Sequence, residues 1–202
     1  MTLDRRALIV SGLAATAAAS SVRAAPLPPV PGEMVLGSPK APIQLVVYAS
    51  ASCPHCAHWW TTVQPEIRKT FIDTGKVRLV FREFLTPPNE FAAAGFILCR
   101  RIPGKYFEVL TTVFQKQEEI YRSEKLFEGL QAIGKQYGLT DAQFKAALED
   151  PAALKGVNDR FFKAINQDNI EVTPTFFVNG APIEGDISFA ALSKAFATAA
   201  KG

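Results

Sequence analysis

Apolar and polar positions along this chain fall into three rhythms. Residues 43–48 (IQLVVY) and 77–81 (VRLVF) are short, β-branched apolar runs of strand length, and both read as buried strands. Between them the spacing turns helical from about residue 54 to 71, with a bend expected near Pro65. From 88 to 169 it stays helical throughout. Phe91, Gly95, Leu98, Cys99 and Ile102 share one face of the first of these helices. Further helices are predicted over 106–117, 124–137, 141–149 and 152–167, punctuated by Gly104, Gly138 and Pro151, with Thr140 or Asp141 as a cap. Phe176-Phe177-Val178, the turn pair Asn179-Gly180 and Ala181-Pro182-Ile183 then predict a β-hairpin, and a last helix runs over about 188–200. Ahead of everything, residues 26–42 (PLPPVPGEMVLGSPKAP) hold six prolines and read as an extended leader with a short edge strand at 33–36.

The start of the chain changes the setting of these elements. MTLDRRALIVSGLAATAAASSVRAAP opens with Asp4, Arg5 and Arg6, continues with an apolar run over 7–19, and ends in small residues. The run is shorter than the ~20 residues that cross a bilayer. It reads as a signal peptide over 1–24, cut after Ala24; the competing reading is a cytosolic chain with an Ala-rich start. Arg5-Arg6 leaves both general and twin-arginine export open. Losing Arg5, Arg6, Arg23 and Asp4 takes the net charge from +3 to +1. A near-neutral chain argues against nucleic acid or an acidic membrane surface as main partner. Three cysteines survive the cut into an oxidising space, too few for a stapled framework. Their odd number means that one thiol stays unpaired or that a pair is built to open.

Two of the three are Cys53 and Cys56, in ASCPHCAHWW directly after the first buried strand. C-x-x-C serves as a metal clip, a structural disulfide or a redox pair. Pro54 stands where a first helical residue would, which places Cys53 at the helix N-terminus. Unpaired N–H groups and the helix dipole there stabilise a thiolate, the attacking form of sulfur. Cys56, one turn on, points to the core as the resolving thiol. His55, as donor or imidazolium, is expected to stabilise the Cys53 thiolate further. For a metal, Cys56 and His58 stand two apart on a helix and point roughly 200° apart, so they do not converge. No second C-x-x-C or H-x-x-x-H completes a ligand set. Trp60 is expected in the core, His58 at the surface, and Cys99 as a buried thiol.

With cysteines at the strand-to-helix turn of a βαβ unit, SCPHC, VRLVFREF and VTPTFFVNG follow one another in an order and spacing that resembles the DsbA family of periplasmic thiol-disulfide oxidoreductases, over residues 33–200. The resemblance implies an α/β thioredoxin fold, residues 43–87 and 170–202, with an inserted α-helical domain at 88–169 behind the leader of 25–42. It implies catalysis by Cys53, Pro54, His55 and Cys56 with no dissociable cofactor and no metal. It further implies a cis Pro174 facing the cysteines, with Thr173 offering its main chain to an extended substrate. Substrates would be unfolded, cysteine-containing exported proteins, and a DsbB-like, quinone-linked membrane oxidase would restore the disulfide. Two departures bear on this. Well-known members carry a buried acid six residues before the first cysteine, where this chain has Val47. Threonine before the cis proline resembles the isomerases and reductases, whereas valine is common in the oxidases. About 17 Pro-rich residues ahead of the first strand leave no room for the isomerases' dimerisation domain, so a monomeric oxidase is expected. An isomerase or reductase kept reduced by a membrane donor is the alternative, and a periplasmic metal-binding protein using the same thiols is another.

Overall fold

A computed structural model describes residues 26–201; the expected signal peptide, residues 1–24, lies outside them. The centre is a parallel pair of strands, β2 (Ile43–Ala49) and β3 (Val77–Glu83), in register Val47 to Phe81. Every residue of β2 is buried, as a β-branched run covered on both faces must be. β1 (Met34–Leu36) adds antiparallel to β3, and β4 (Thr175–Val178) adds antiparallel to β2. β5 (Ala181–Ile183) closes the sheet in the order β1-β3-β2-β4-β5. The β4–β5 turn has positive φ at Asn179 (47°) and Gly180 (84°), the requirement of the hairpin turn that Asn-Gly favours. Asn179 also accepts the Gln44 N–H on its side chain (2.7 Å), which ties the hairpin to β2.

Side chains alternate between the two faces of the sheet. Leu45, Val47, Leu79, Phe81, Phe176 and Val178 join the larger core cluster, which takes in the cysteine helix and most of the inserted helices. Val46, Tyr48, Val80 and Phe177 face the other way, against Phe84, Phe161, Ala164 and Ile170. The chain therefore folds as an α/β thioredoxin fold carrying a helical insertion, and both share one continuous core.

The single helix expected over 54–71 is divided. α1 (Pro54–Thr62) stops before Pro65, whose ring cannot donate and clashes with the preceding turn; α2 (Gln64–Ile67) resumes, and one wider turn follows over Arg68–Ile72. The insertion comprises α3 (Asn89–Arg101), α4 (Tyr106–Ser123), α5 (Leu126–Gln136), α6 (Asp141–Leu148) and α7 (Pro151–Asn166). α4 runs six residues past its expected end at Gln117, because Ile120 and Tyr121 continue its apolar stripe through a charged stretch. It ends at Glu124 in the left-handed region (φ 58°), so α5 starts two residues later than expected. At α6, Thr140 is the cap, in a reciprocal capping box with Gln143. α8 (Phe189–Ala199), capped by Ser188, closes the chain.

The leader is fastened. Pro28 O accepts from Arg82 (2.5 Å), Gly32 O from Arg100 (2.5 Å), and Glu33 bonds Arg82 (3.1 Å). Leu27 packs on the second core cluster.

Candidate active site

Pro54 has its fixed φ at the first helical position, so the residue before it is extended and becomes the cap. That residue is Cys53 (φ −82°, ψ 119°), whose sulfur accepts the Cys56 main-chain N–H at 3.4 Å. Both cysteines are free thiols and both are buried, Cys53 at 7% and Cys56 at 2% exposure. The Thr173–Pro174 bond is cis, and Thr173 O lies 3.4 Å from the Cys53 sulfur, accepting from it when it is a thiol. The loop before β4 therefore faces the cysteine helix.

Their environments separate the two sulfurs. The Cys56 thiol donates to Cys53 and, against the opposing effect of burial, lowers it most; the Thr173 hydroxyl and the N–H groups of Cys56 and His55 add to this, holding Cys53 at about 5. Burial, and then the neighbouring Cys53, push Cys56 well above the usual thiol range. The arrangement gives one nucleophilic thiolate near neutral pH and one protonated thiol behind it. The Thr173 hydroxyl is buried without a fixed partner beside both sulfurs, so its hydrogen is free to turn to either.

His55 and His58 are both exposed. The imidazole of His55 makes no hydrogen bond among the described residues, and what reaches Cys53 is its main-chain N–H. His58 and the buried Cys56 lie on different sides of α1. Trp59 and Trp60 are core residues: Trp59 donates to Ile187 O (3.0 Å), while Trp60 stacks on Phe107 and donates to Thr111 (2.9 Å). Val47 is fully buried between Phe81 and Phe176 in the sheet. Cys99 is buried on α3, its thiol raised by burial and then by the charge of Glu83.

Sequence reading missed the residues around the turn. Ser50 and Ser52 share a hydroxyl bond (2.9 Å), and Ser52 donates to Thr86 O (2.6 Å), which joins the turn to the loop after β3. From α4, Gln117 donates to Ala51 O (2.7 Å) and Tyr121 to Ser52 O (2.8 Å). One signal was available: Gln117 is a lone polar residue on an otherwise apolar stripe of Val109, Leu110, Val113, Phe114 and Ile120.

Comparison with known proteins agrees with this geometry. The family described as Thioredoxin matches residues 30–197. A Rickettsia felis protein named "Putative protein-disulfide oxidoreductase" is 31% identical over 81% of this chain and 58% of its own. Disulfide bond formation protein D of Bacillus subtilis is 28% identical over 78% of this chain and 72% of its own. The crystal structure of alpha-DsbA1 from Wolbachia pipientis superimposes with a TM-score of 0.77 at 26% identity, covering 86% of this chain and 94% of that one. The chain spans somewhat over half the length of its Rickettsia relatives. It belongs to the thioredoxin family, and its fold is similar to that of the DsbA structure from Wolbachia.

Proposed function

We propose that this protein donates a Cys53–Cys56 disulfide to exported proteins as they fold in the periplasm. The observation that carries the reading is the placement of the two sulfurs one helical turn apart. Cys53 caps the helix, accepts the Cys56 N–H at 3.4 Å and faces the cis-proline loop, while Cys56 lies buried behind it, which moves their acidities in opposite directions. A client thiolate attacks the Cys53 sulfur of the oxidised form, and Cys56 leaves as a thiolate that takes up a proton. A second client thiolate attacks the client sulfur of the mixed disulfide and releases Cys53 as a thiolate. The client dithiol has lost two electrons and the cysteine pair has gained them. Because the released Cys53 thiolate is stabilised, the equilibrium favours the reduced enzyme and an oxidised client.

Pro54 sets the helix start, and His55 contributes its main-chain N–H to the Cys53 sulfur. Thr173 O and the cis Pro174 offer an edge against which an extended client strand can lie, as one strand adds to another. No cofactor takes part. A quinone-linked membrane oxidase of the DsbB kind would restore the disulfide, and the protein would act as a monomer. The names of the relatives, protein-disulfide oxidoreductase and disulfide bond formation protein, support the same chemistry.

Thr173 supports a second reading, an isomerase or reductase held reduced by a membrane donor. Equilibration with glutathione separates the two, since an oxidase should have a potential nearer about −120 mV than the roughly −270 mV of thioredoxin. Alkylating the thiols of growing cells reads the resting state. A pair found mostly reduced there replaces the oxidase reading with the isomerase or reductase one.

A further inference from the structure

The turn that sets up Cys53 carries four successive main-chain carbonyls, Ser50 to Cys53. Two of them have main-chain donors. Ser50 O accepts from Cys53 N (3.2 Å), and Cys53 O accepts from Ala57 N (3.1 Å), the first bond of α1. Ala51 O and Ser52 O are served from the insertion, by Gln117 Nε2 at 2.7 Å and the Tyr121 hydroxyl at 2.8 Å. Gln117 Nε2 also reaches Cys53 O at 3.4 Å. Since both its contacts are carbonyl oxygens, the amide is oriented nitrogen-first. Gln117 is 3% exposed, and Tyr121, one turn further along the same face of α4, is braced edge-on by Phe91 at 5.1 Å.

A carbonyl oxygen turned toward a thiolate raises its energy, whereas an N–H turned toward it lowers it. We propose that Gln117 and Tyr121 are positioning residues for the redox turn: by holding the carbonyls of Ala51, Ser52 and Cys53 toward α4, they keep those dipoles off the Cys53 sulfur and leave the N–H groups of His55 and Cys56 aimed at it. The inserted helices thereby set the reactivity of a sulfur that stands outside them. The titratable groups around Cys53 are His55 and Cys56 on its own helix and Tyr121 on α4. The hydroxyl of Tyr121 is pushed up to about 12, chiefly by burial, so it remains a donor at every pH used below.

The inference rests on the exchange reading and is tested beside it. Thiolate absorbance of the reduced protein is titrated from acid to alkaline pH in the wild type, Gln117→Met and Tyr121→Phe, alongside glutathione equilibrium and urea unfolding. Gln117→Met keeps the side-chain length and loses the donor. Its Cys53 midpoint should rise by about one pH unit, a tenfold change in the thiolate-to-thiol ratio. Tyr121→Phe should shift in the same direction by less, and both should become weaker oxidants against glutathione. Folded variants that lose stability while titrating like the wild type would overturn the proposal, since packing alone would then explain the pair. Should Gln117→Met fail to fold, Tyr121→Phe, which removes one oxygen, decides by its titration and potential. A wild type titrating near the ordinary thiol value of about 8.5 overturns the exchange reading itself, and this inference with it.

Discussion

Two buried polar clusters lie near the C-terminal end of β3, built from opposite chemistry. Around the redox turn the partners are neutral: Ser50, Ser52, Thr86, Gln117, Tyr121 and Thr173. At the strand end they are ionic. Glu83, 2% exposed, accepts from Arg100 (2.7 Å), Arg160 (2.6 Å) and the Tyr106 hydroxyl (2.8 Å). Its neighbour Arg82 turns to the other face, to Tyr48 (2.6 Å) and Glu33 (3.1 Å), with Asp168 joined to Lys163 (2.8 Å) beyond. The ionic cluster satisfies its own charges and ties the leader, β3, α3 and α7 together. The neutral cluster supplies dipoles and no counter-ion, so the charge on Cys53 is held by N–H, O–H and S–H groups. Reactivity and cohesion are thus assigned to separate sets of residues.

The severest way to break that division is to remove the hub of the ionic set. Glu83→Leu strands two partly buried guanidinium groups, and losing one partner of such a cluster costs about 3 kcal/mol. Urea unfolding should show a loss of that size, while the Cys53 midpoint stays within about 0.2 pH units of the wild type, since the redox turn keeps every donor it has. A large movement of that midpoint would mean that the two clusters communicate.

How much of this could be read beforehand follows from sequence distance. The buried strand runs, the Asn-Gly turn and the Pro54 helix start are local signals, and they place Cys53 at a helix cap correctly. The hub is otherwise: Arg82 and Glu83 look like the polar tail of VRLVFREF until α3 and α7 bring Arg100 and Arg160 to them. In the same way, Gln117 looks like the polar end of a helix because its acceptors are 64 and 66 residues away. His55 illustrates a third case. Its position beside the sulfurs was legible, but the group that reaches Cys53 is the main-chain N–H, which every residue type except proline supplies.

A thiolate held by dipoles also sets a redox-linked stability, which sharpens the comparison from the other side. Folding holds Cys53 at about 5, below the ordinary thiol value of about 8.5. A depressed acid stabilises the fold fully above the unfolded value, and the contribution is lost as pH falls through the folded value. The oxidised protein has no such thiolate. Reduced protein should therefore be the more stable form at pH 7, by about 1 kcal/mol or more, against the usual effect of a disulfide. The gap should widen toward pH 8.5 and shrink toward pH 5. Urea midpoints of both forms across that range check it, and an oxidised form that is the more stable at pH 7 contradicts the oxidase assignment.

The smallest expected effect, and the most selective, is that of Thr173→Val. Valine matches threonine in shape, keeps the main-chain carbonyl 3.4 Å from Cys53, and removes a hydroxyl that is buried without a fixed partner. Deleting an unpaired buried polar atom should cost little, so stability should change by less than about 1 kcal/mol in either direction. The titration should nevertheless respond, because that hydroxyl ranks behind the Cys56 thiol among the groups that lower Cys53. A rise of about half a pH unit in the thiolate midpoint is expected. Glu83→Leu would then cost about 3 kcal/mol without moving the titration, and Thr173→Val would move the titration with no more than the linked ~0.7 kcal/mol of half a pH unit, which is the pairing the two clusters require. If Thr173→Val instead leaves the midpoint where it was, the hydroxyl faces away from both sulfurs, and the Cys56 thiol with the N–H groups of His55 and Cys56 carries the thiolate unaided.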